Sequence, residues 1–309
     1  MTIDLLAELE PVVARNLDRH LAIAKDWMPH AYVPWEEGRD FGEVPWHPDQ
    51  SRLTPQARTA LEVNLLTEDN LPSYHREIAQ RFGLDSAWGT WIGRWTAEEG
   101  RHAMCIRDYL LVTRALDPDR LEAARMAVVQ AGYRDDRRSP LETLAYVSFQ
   151  ELATRIAHRN TGRLVDDPVA DLLLARVAAD ENLHMLFYRS LVSASMAIDP
   201  SATVRALVKE VVDFAMPGTV IPNFRRKSLV IARAGIYDLR IHHDEVVRPL
   251  LKHWQLFELE GLDGAAERER ERLAAHLEAL NLRAERQREH FAAAAAGADR
   301  NADRNRALR

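Results

Sequence analysis

An all-α protein is predicted for this chain of 309 residues by three observations. Apolar residues recur at helical spacing along most of the length, and no convincing pair of alternating, strand-like segments interrupts them. Glu-x-x-His occurs twice, and each copy follows a further glutamate at nearly the same distance.

Composition narrows the class. With 47% hydrophobic residues the chain can bury a sizeable core, and one large domain is the default expectation. A formal charge of −6 and an isoelectric point near 6.1 argue against a nucleic-acid binder that works through a dominant basic surface. The single cysteine, Cys105, cannot form an internal disulfide or a thiolate cluster, so any metal must be held by His, Asp or Glu. A reducing, cytoplasmic setting fits that usage. The opening MTIDLLAELEPVVARNLDRHL carries acids where a secretory leader has a basic start, and reads as a first helix. No apolar stretch approaches twenty residues without charges, so no transmembrane span is expected.

The elements follow in order. From Asp4 to about Lys25, Leu5, Leu6, Leu9, Val12, Val13, Leu17 and Leu21 outline an amphipathic helix. Between Met28 and Pro55, five prolines with Gly38 and Gly42 prevent a continuous helix and leave a long loop associated with Trp27, Trp35 and Trp46. Loops of that length inside compact domains usually have a task. Helical periods then cover roughly 55–82, 86–116, 118–130, 139–163, 168–196, 201–215 and 220–260, with Asp117-Pro118, Asp167-Pro168 and Asp199-Pro200 marking turns. Residues 1–264 form the expected domain. Residues 265–309 are expected to be a charged helical extension, lightly packed to about Ala296 and frayed in its last dozen residues.

The chemistry lies in Glu99-Gly-Arg-His102 and Glu181-Asn-Leu-His184, each in mid-helix. Residues three apart share a helix face, so each Glu and His can bind one metal together. A lone copy is weak evidence, because such spacings arise by chance on charged helices. Glu68 stands 31 residues before Glu99, however, and Glu151 stands 30 before Glu181. One helix with a Glu, a reversal, and a helix with Glu-x-x-His, repeated twice, is the plan of ferritin-like di-iron and di-manganese bundles: a four-helix core with additional helices. Apolar neighbours such as Phe149, Leu152, Val177 and Phe187 point to burial, and four buried glutamates without a cation would be very costly. Four carboxylates and two imidazoles suit iron or manganese, with iron favoured for dioxygen chemistry. Asp69 and Glu98, about 100° round from their neighbours, are expected to be supporting or surface groups. Pro72 cannot donate to the carbonyl of Glu68, so the helix should loosen at that residue.

Several segments resemble the soluble acyl-acyl-carrier-protein desaturases: KDWMPHAYVP (25–34), TEDNLPSYH (67–75), WIGRWTAEEGRH (91–102), YVSFQELATRIAHRNTGR (146–163), ADENLH (179–184) and AGIYD (234–238). They span most of the chain to about residue 260 in the family's order. The resemblance implies that Glu68, Glu99, His102, Glu151, Glu181 and His184 hold two irons, ferrous when reduced. It also implies that Asp180 orients His102, that Trp27 lies on the route by which electrons enter, and that Thr154 sits on the oxygen-binding side. For Thr154 a bond back to its own helix is an equal alternative. Gly100 departs from the family's usual Asn.

The activity implied is O₂-dependent insertion of a cis double bond into a fatty acyl chain on acyl carrier protein, in fatty acid biosynthesis. The partners implied are that carrier, a ferredoxin-type donor and a second copy of the chain in a homodimer. Arg225, Arg226 and Lys227 are candidates to meet the acidic carrier, or simply a solvated face. The same ligands would serve a di-iron monooxygenase or a non-catalytic iron-binding protein.

Overall fold

The computed structural model describes residues 4–135 and 138–307, and every regular element among them is helical. Helix α1 (Leu5–Ile23) is followed by the proline-rich segment, which contains only short 3₁₀ turns. Next come α2 (Pro55–Glu68), α3 (Leu71–Phe82), α4 (Ser86–Val112), α5 (Pro118–Ala131), α6 (Pro140–Val165), α7 (Pro168–Ile198) and α8 (Pro200–Val212). The chain ends with α9 (Phe224–Arg233), α10 (Leu239–Ile241), α11 (Arg248–His253) and α12 (Gly264–Ala307).

The Asp-Pro turns act as expected. Asp117, Asp167 and Asp199 each cap the following helix, with proline at its first position, where no amide donor is needed. Ser139 and Glu142 form a capping box that starts α6. Four helices close a ring: α2 packs on α4, α4 on α7, α7 on α6, and α6 on α2. Helix α1 covers the α4–α7 side, α3 lies against α4 and α6, and α8 backs α6 and α7. The main core runs between them, through Leu9, Val13, Trp91, Leu144, Phe149 and Leu191.

Two expectations are corrected. The helix anticipated over 55–82 breaks after Glu68, because Pro72 leaves the Glu68 carbonyl without its fourth-residue donor and restarts the chain as α3. The helix anticipated over 220–260 is several pieces. Gly235 has φ +71°, Asp238 recaps the chain by accepting from the Ile241 amide at 2.8 Å, and a π-turn (His242–Val247) leads into α11. At the start of the C-terminal extension Ala266 and Leu273 join the main core, and α12 lies along α8. Its backbone is described as helix to Ala307, while Leu308 and Arg309, the end of the expected tail, lie outside the described residues. No described helix is long and apolar enough to cross a membrane.

Candidate metal centre

The ring of four helices brings all six anticipated side chains inward, each below a tenth exposed. Helix α2 supplies Glu68 from its last turn, α4 supplies Glu99 and His102, α6 supplies Glu151, and α7 supplies Glu181 and His184. They form two overlapping groups. Glu68, Glu99, His102 and Glu181 each offer a ligand atom within 4.8 Å of the others, and so do Glu99, Glu151, Glu181 and His184. Glu99 and Glu181 belong to both groups. His102 Nδ1 lies 3.4 Å from both Glu99 Oε2 and Glu181 Oε1, and 3.6 Å from Glu68 Oε2. His184 Nδ1 lies 2.8 Å from Glu99 Oε1 and 3.6 Å from Glu151 Oε2.

These donors fit a cation pair. Glu99 Oε1, His102 Nδ1, Glu151 Oε2 and His184 Nδ1 are buried without a hydrogen-bond partner, a costly condition in a protein interior. Burial and the neighbouring Glu181 push Glu99 and Glu151 above the usual carboxylate range. Burial opposes charge on His102 and His184, yet the surrounding carboxylates raise both well above an ordinary histidine. Only protons or cations can neutralise the cluster, and all-oxygen and imidazole donors suit a hard or borderline divalent ion.

The surrounding groups cross between the two Glu-x-x-His helices. On α7, Asp180 accepts from His102 Nε2 on α4 at 3.4 Å. On α4, Glu98 accepts from His184 Nε2 on α7 at 2.9 Å. Each acid thus precedes one motif's Glu and holds the other motif's imidazole, leaving Nδ1 free to face the centre. Asp180 also accepts from Trp27 Nε1 at 2.7 Å and Arg101 Nη2 at 3.2 Å, and it pairs with Arg176. Burial works against its charge, but these partners, His102 first, lower its pKa to about 2. Trp27 is buried and stacked along His102, with ring centroids 6.4 Å apart, so Trp27, Asp180 and His102 form a contiguous chain from the proline-rich segment to the centre.

Thr154 bonds both within its own helix and to a carboxylate of the cluster. Its hydroxyl has the Gln150 carbonyl within reach at 3.1 Å and Glu181 Oε2 at 2.8 Å. Asp69 belongs to neither donor group and instead pairs with Arg125 of α5. Gly100 lines a hollow that also touches Glu68, Leu71 and Pro72, and an added Cβ there would meet only Leu71 Cδ2, at 3.9 Å.

Sequence reasoning missed three buried groups. His20 of α1 bonds Glu98 at 2.9 Å, so His184, Glu98 and His20 form a second chain, linked to the first by Arg101, which reaches both Asp180 and Glu98. His158 bonds Glu68 Oε1 at 2.9 Å. Trp95 Nε1 donates to Glu151 Oε1 at 3.2 Å. The signal for Glu98 was present: acid-Glu-x-x-His occurs in both motifs, as Glu98-Glu99 and as Asp180-Glu181. His158 follows Glu151 by two helical turns and shares its face; His20 carries no local signal.

Comparison with known proteins gives one consistent result. Residues 1–302 match the family model described as fatty acid desaturase. A Mycobacterium tuberculosis protein named putative acyl-[acyl-carrier-protein] desaturase DesA1 is 50% identical over 283 residues, spanning 88% of this chain and 84% of the relative. The chloroplastic acyl-[acyl-carrier-protein] desaturase 6 of Oryza sativa subsp. japonica is 31% identical over 87% of this chain and 70% of its own length. The X-ray structure of the putative acyl-ACP desaturase DesA2 from Mycobacterium tuberculosis H37Rv superposes with a TM-score of 0.71 at 30% identity, covering 86% of this chain and 99% of that one.

Proposed function

The chain belongs to the fatty acid desaturase family, and from that premise we propose that it introduces a cis double bond into a fatty acyl chain carried on acyl carrier protein, using O₂ at a di-iron centre held by Glu68, Glu99, His102, Glu151, Glu181 and His184. The observation that carries this reading is the convergence of those six side chains into two four-donor groups that share Glu99 and Glu181. When bound, the iron pair supplies the redox chemistry that activates O₂ and cleaves an unactivated C–H bond.

The chain's own residues orient, insulate and supply protons. Asp180 and Glu98 fix the ring planes of the two histidines. The Thr154 hydroxyl, donating to Glu181, holds a proton beside a carboxylate common to both donor groups. Trp95 steadies Glu151, and His158 offers Glu68 an alternative partner where Pro72 has freed its helix end. A cavity of about 350 Å³, walled by Val63, Ala153, Ala157, Met216, Ile231 and Ile236, reaches Glu68 and gives an acyl chain a dry path to the centre.

Electron counting requires a partner. Reducing O₂ to two waters takes four electrons and four protons. The acyl chain gives two of each as it loses two hydrogens, so an external donor must supply two electrons and solvent two protons. A ferredoxin-type protein is the proposed donor, and the Trp27–Asp180–His102 chain is its proposed route. Exposed Arg225 and Arg226 beside the large cavity are the proposed contact for the acidic carrier. Lys227 pairs with Glu62 at 2.8 Å, which leaves Arg225 and Arg226 without an ion pair among the described residues. The exposed apolar side chains of Met104, Met126 and Val129 support assembly as a homodimer, and a lone buried Cys105 suits the cytoplasm. Residues 1–264 remain the proposed catalytic unit, with α12 as a charged extension rooted in its core.

The test is anaerobic loading with ferrous iron, then reduced ferredoxin, O₂ and a panel of acyl carriers, with products weighed by mass spectrometry. Loss of two hydrogens is expected. Gain of one oxygen would make the protein a hydroxylase, and many irons per chain without any product would make it a store.

A further inference from the structure

Two cavities of unequal size, about 350 and about 60 Å³, touch the candidate metal centre at Thr67 and Glu68. The larger one reaches toward the surface. Its inner wall includes Glu68 of α2 with Thr154 and His158 of α6, and its outer wall is built from residues around Gly218 and from Phe224 and Ile231 of α9. Beyond that wall lies a separate hollow of about 630 Å³, which contains Arg225 and Arg226. Thr219 and Phe224 border both spaces, and of the two the Phe224 ring is the bulky partition.

That ring has an unusual seat. A Cβ added at Gly218 would overlap Cδ2, Cε2 and Cζ of Phe224, so the ring occupies the space that any other side chain at 218 would fill. On its inner side it packs against the small apolar cluster of Val63, Leu66, Val128 and Ile221. On its outer side is the hollow, where the exposed side chain of Leu229 offers a displaced ring an apolar neighbour. The helix that carries Phe224 is tied down independently: Lys227 pairs with Glu62 of α2 at 2.8 Å, and Asn160 of α6 donates to the Ile236 carbonyl at 2.9 Å just past its end. Phe224 is the first residue of α9, after Asn223 with φ +59°, so its side chain can turn without moving the helix behind it. Turning it breaks no hydrogen bond, because the ring has no polar atom.

We infer that Phe224 is the gate of the large cavity: seated on Gly218, its ring closes the passage between the basic hollow and the interior, and it must swing off Gly218 into the hollow before an acyl chain can enter. The inference rests on the desaturase reading above. An acyl chain tied to its carrier by the carboxyl end enters methyl end first, and at this mouth the methyl group meets an aromatic ring in place of bonded polar groups. With the chain inside, the ring closes against it and keeps water from the centre.

The experiment uses the full chain, loaded anaerobically with ferrous iron so that no turnover occurs. It is mixed by stopped flow with an acyl carrier bearing a long conjugated-tetraene chain, whose fluorescence rises as the chain leaves water. Removing a gate that must open before entry speeds association, so Phe224→Ala is expected to raise the rate about tenfold, within the spread found among variants of one complex. Gly218→Ala, whose methyl group props the ring off its seat, is expected to raise it too, and the double variant to be no faster than Phe224→Ala alone. Phe224→Trp is expected to slow entry. A residue that only supported the fold would not speed entry when removed. Urea unfolding shows which variants are folded, and if Gly218→Ala is not, the two Phe224 variants still decide. An unchanged or slower rate in folded Phe224→Ala, or gains that add in the double variant, overturns the inference and leaves the desaturase reading intact. No fluorescence rise with any chain, the unsubstituted one included, overturns the acyl-carrier reading and this inference with it.

Discussion

At the residue scale, the histidines show how a short spacing becomes a site. His102 and His184 each turn one nitrogen toward the carboxylates and give the other to an acid on the opposite helix, Asp180 or Glu98. Replacing such an acid by its amide keeps the volume but weakens the hold on the ring, and typically costs about 10–100-fold in metal affinity or activity. Asp180→Asn is therefore expected to weaken the half-site that contains His102, and Glu98→Gln the half-site that contains His184. Stepwise titration with cobalt(II), followed by its visible absorption, separates the two; equal loss at both half-sites in either variant would contradict the crossed assignment. Thr154→Val is expected to leave metal stoichiometry unchanged while lowering turnover, measured as iron content against product formed. The convergence of the six candidate side chains was legible in the sequence because i,i+3 spacing is a local property and the pattern occurs twice. Glu98 was only half legible: its place beside Glu99 suggested support, but its bond to His184 depends on how α4 and α7 cross. His20 was not legible at all, since its partner lies 78 positions away and nothing in its own helix marks it.

At the element scale, breaks in helices matter as much as their lengths. The break between α2 and α3 places Glu68 in the last turn of α2, where its backbone is freed by Pro72 and its carboxylate can turn toward His102 or His158. The proline announced that break, whereas the breaks within 220–260 were hidden because apolar residues stay in helical phase across Gly235 and through the π-turn. That turn buries His242 against Phe214 at a ring distance of 4.7 Å and under the Tyr237 hydroxyl at 2.9 Å. Burial, with His243 and His276 nearby, lowers its pKa from 6.5 to about 4. A histidine depressed on folding binds its proton more weakly in the native state, so its contribution to stability is intact above pH 6.5 and is lost as pH falls from 6.5 to about 4. The loss is roughly 3 kcal/mol at full titration. His242→Gln is expected to flatten that part of the stability profile in urea unfolding; a variant whose profile keeps the full slope would show that another group is responsible. In α12, Leu273 is fully buried while Glu271 is exposed. Leu273→Ala is expected to cost about 2–5 kcal/mol, against less than about 0.5 for Glu271→Ala, by the same assay. Equal, small effects would mean that the extension is not rooted in the core.

At the scale of the whole molecule, the fold is a ring of four helices that holds carboxylates where no isolated helix would tolerate them. Helix order and the Asp-Pro turns were legible because caps and apolar period are written locally, whereas the helix count was not, since two expected helices are broken. The two unequal cavities were not, because each is walled by residues from α2, α6 and the segment around Ala215–Thr219, which no spacing rule brings together. The central claim is that α2, α4, α6 and α7 together bind two metal ions through one shared set of side chains. A competing arrangement is present in the same interior, since His20, Glu98 and His184 also place their donor atoms within 4.8 Å of one another. The most direct test is anomalous diffraction at the iron edge from crystals of the full chain grown after anaerobic ferrous loading. Two peaks are expected, one among Glu68, Glu99, His102 and Glu181 and the other among Glu99, Glu151, Glu181 and His184. A single peak between His20, Glu98 and His184, or no peak within bonding distance of Glu99 and Glu181, would contradict the claim.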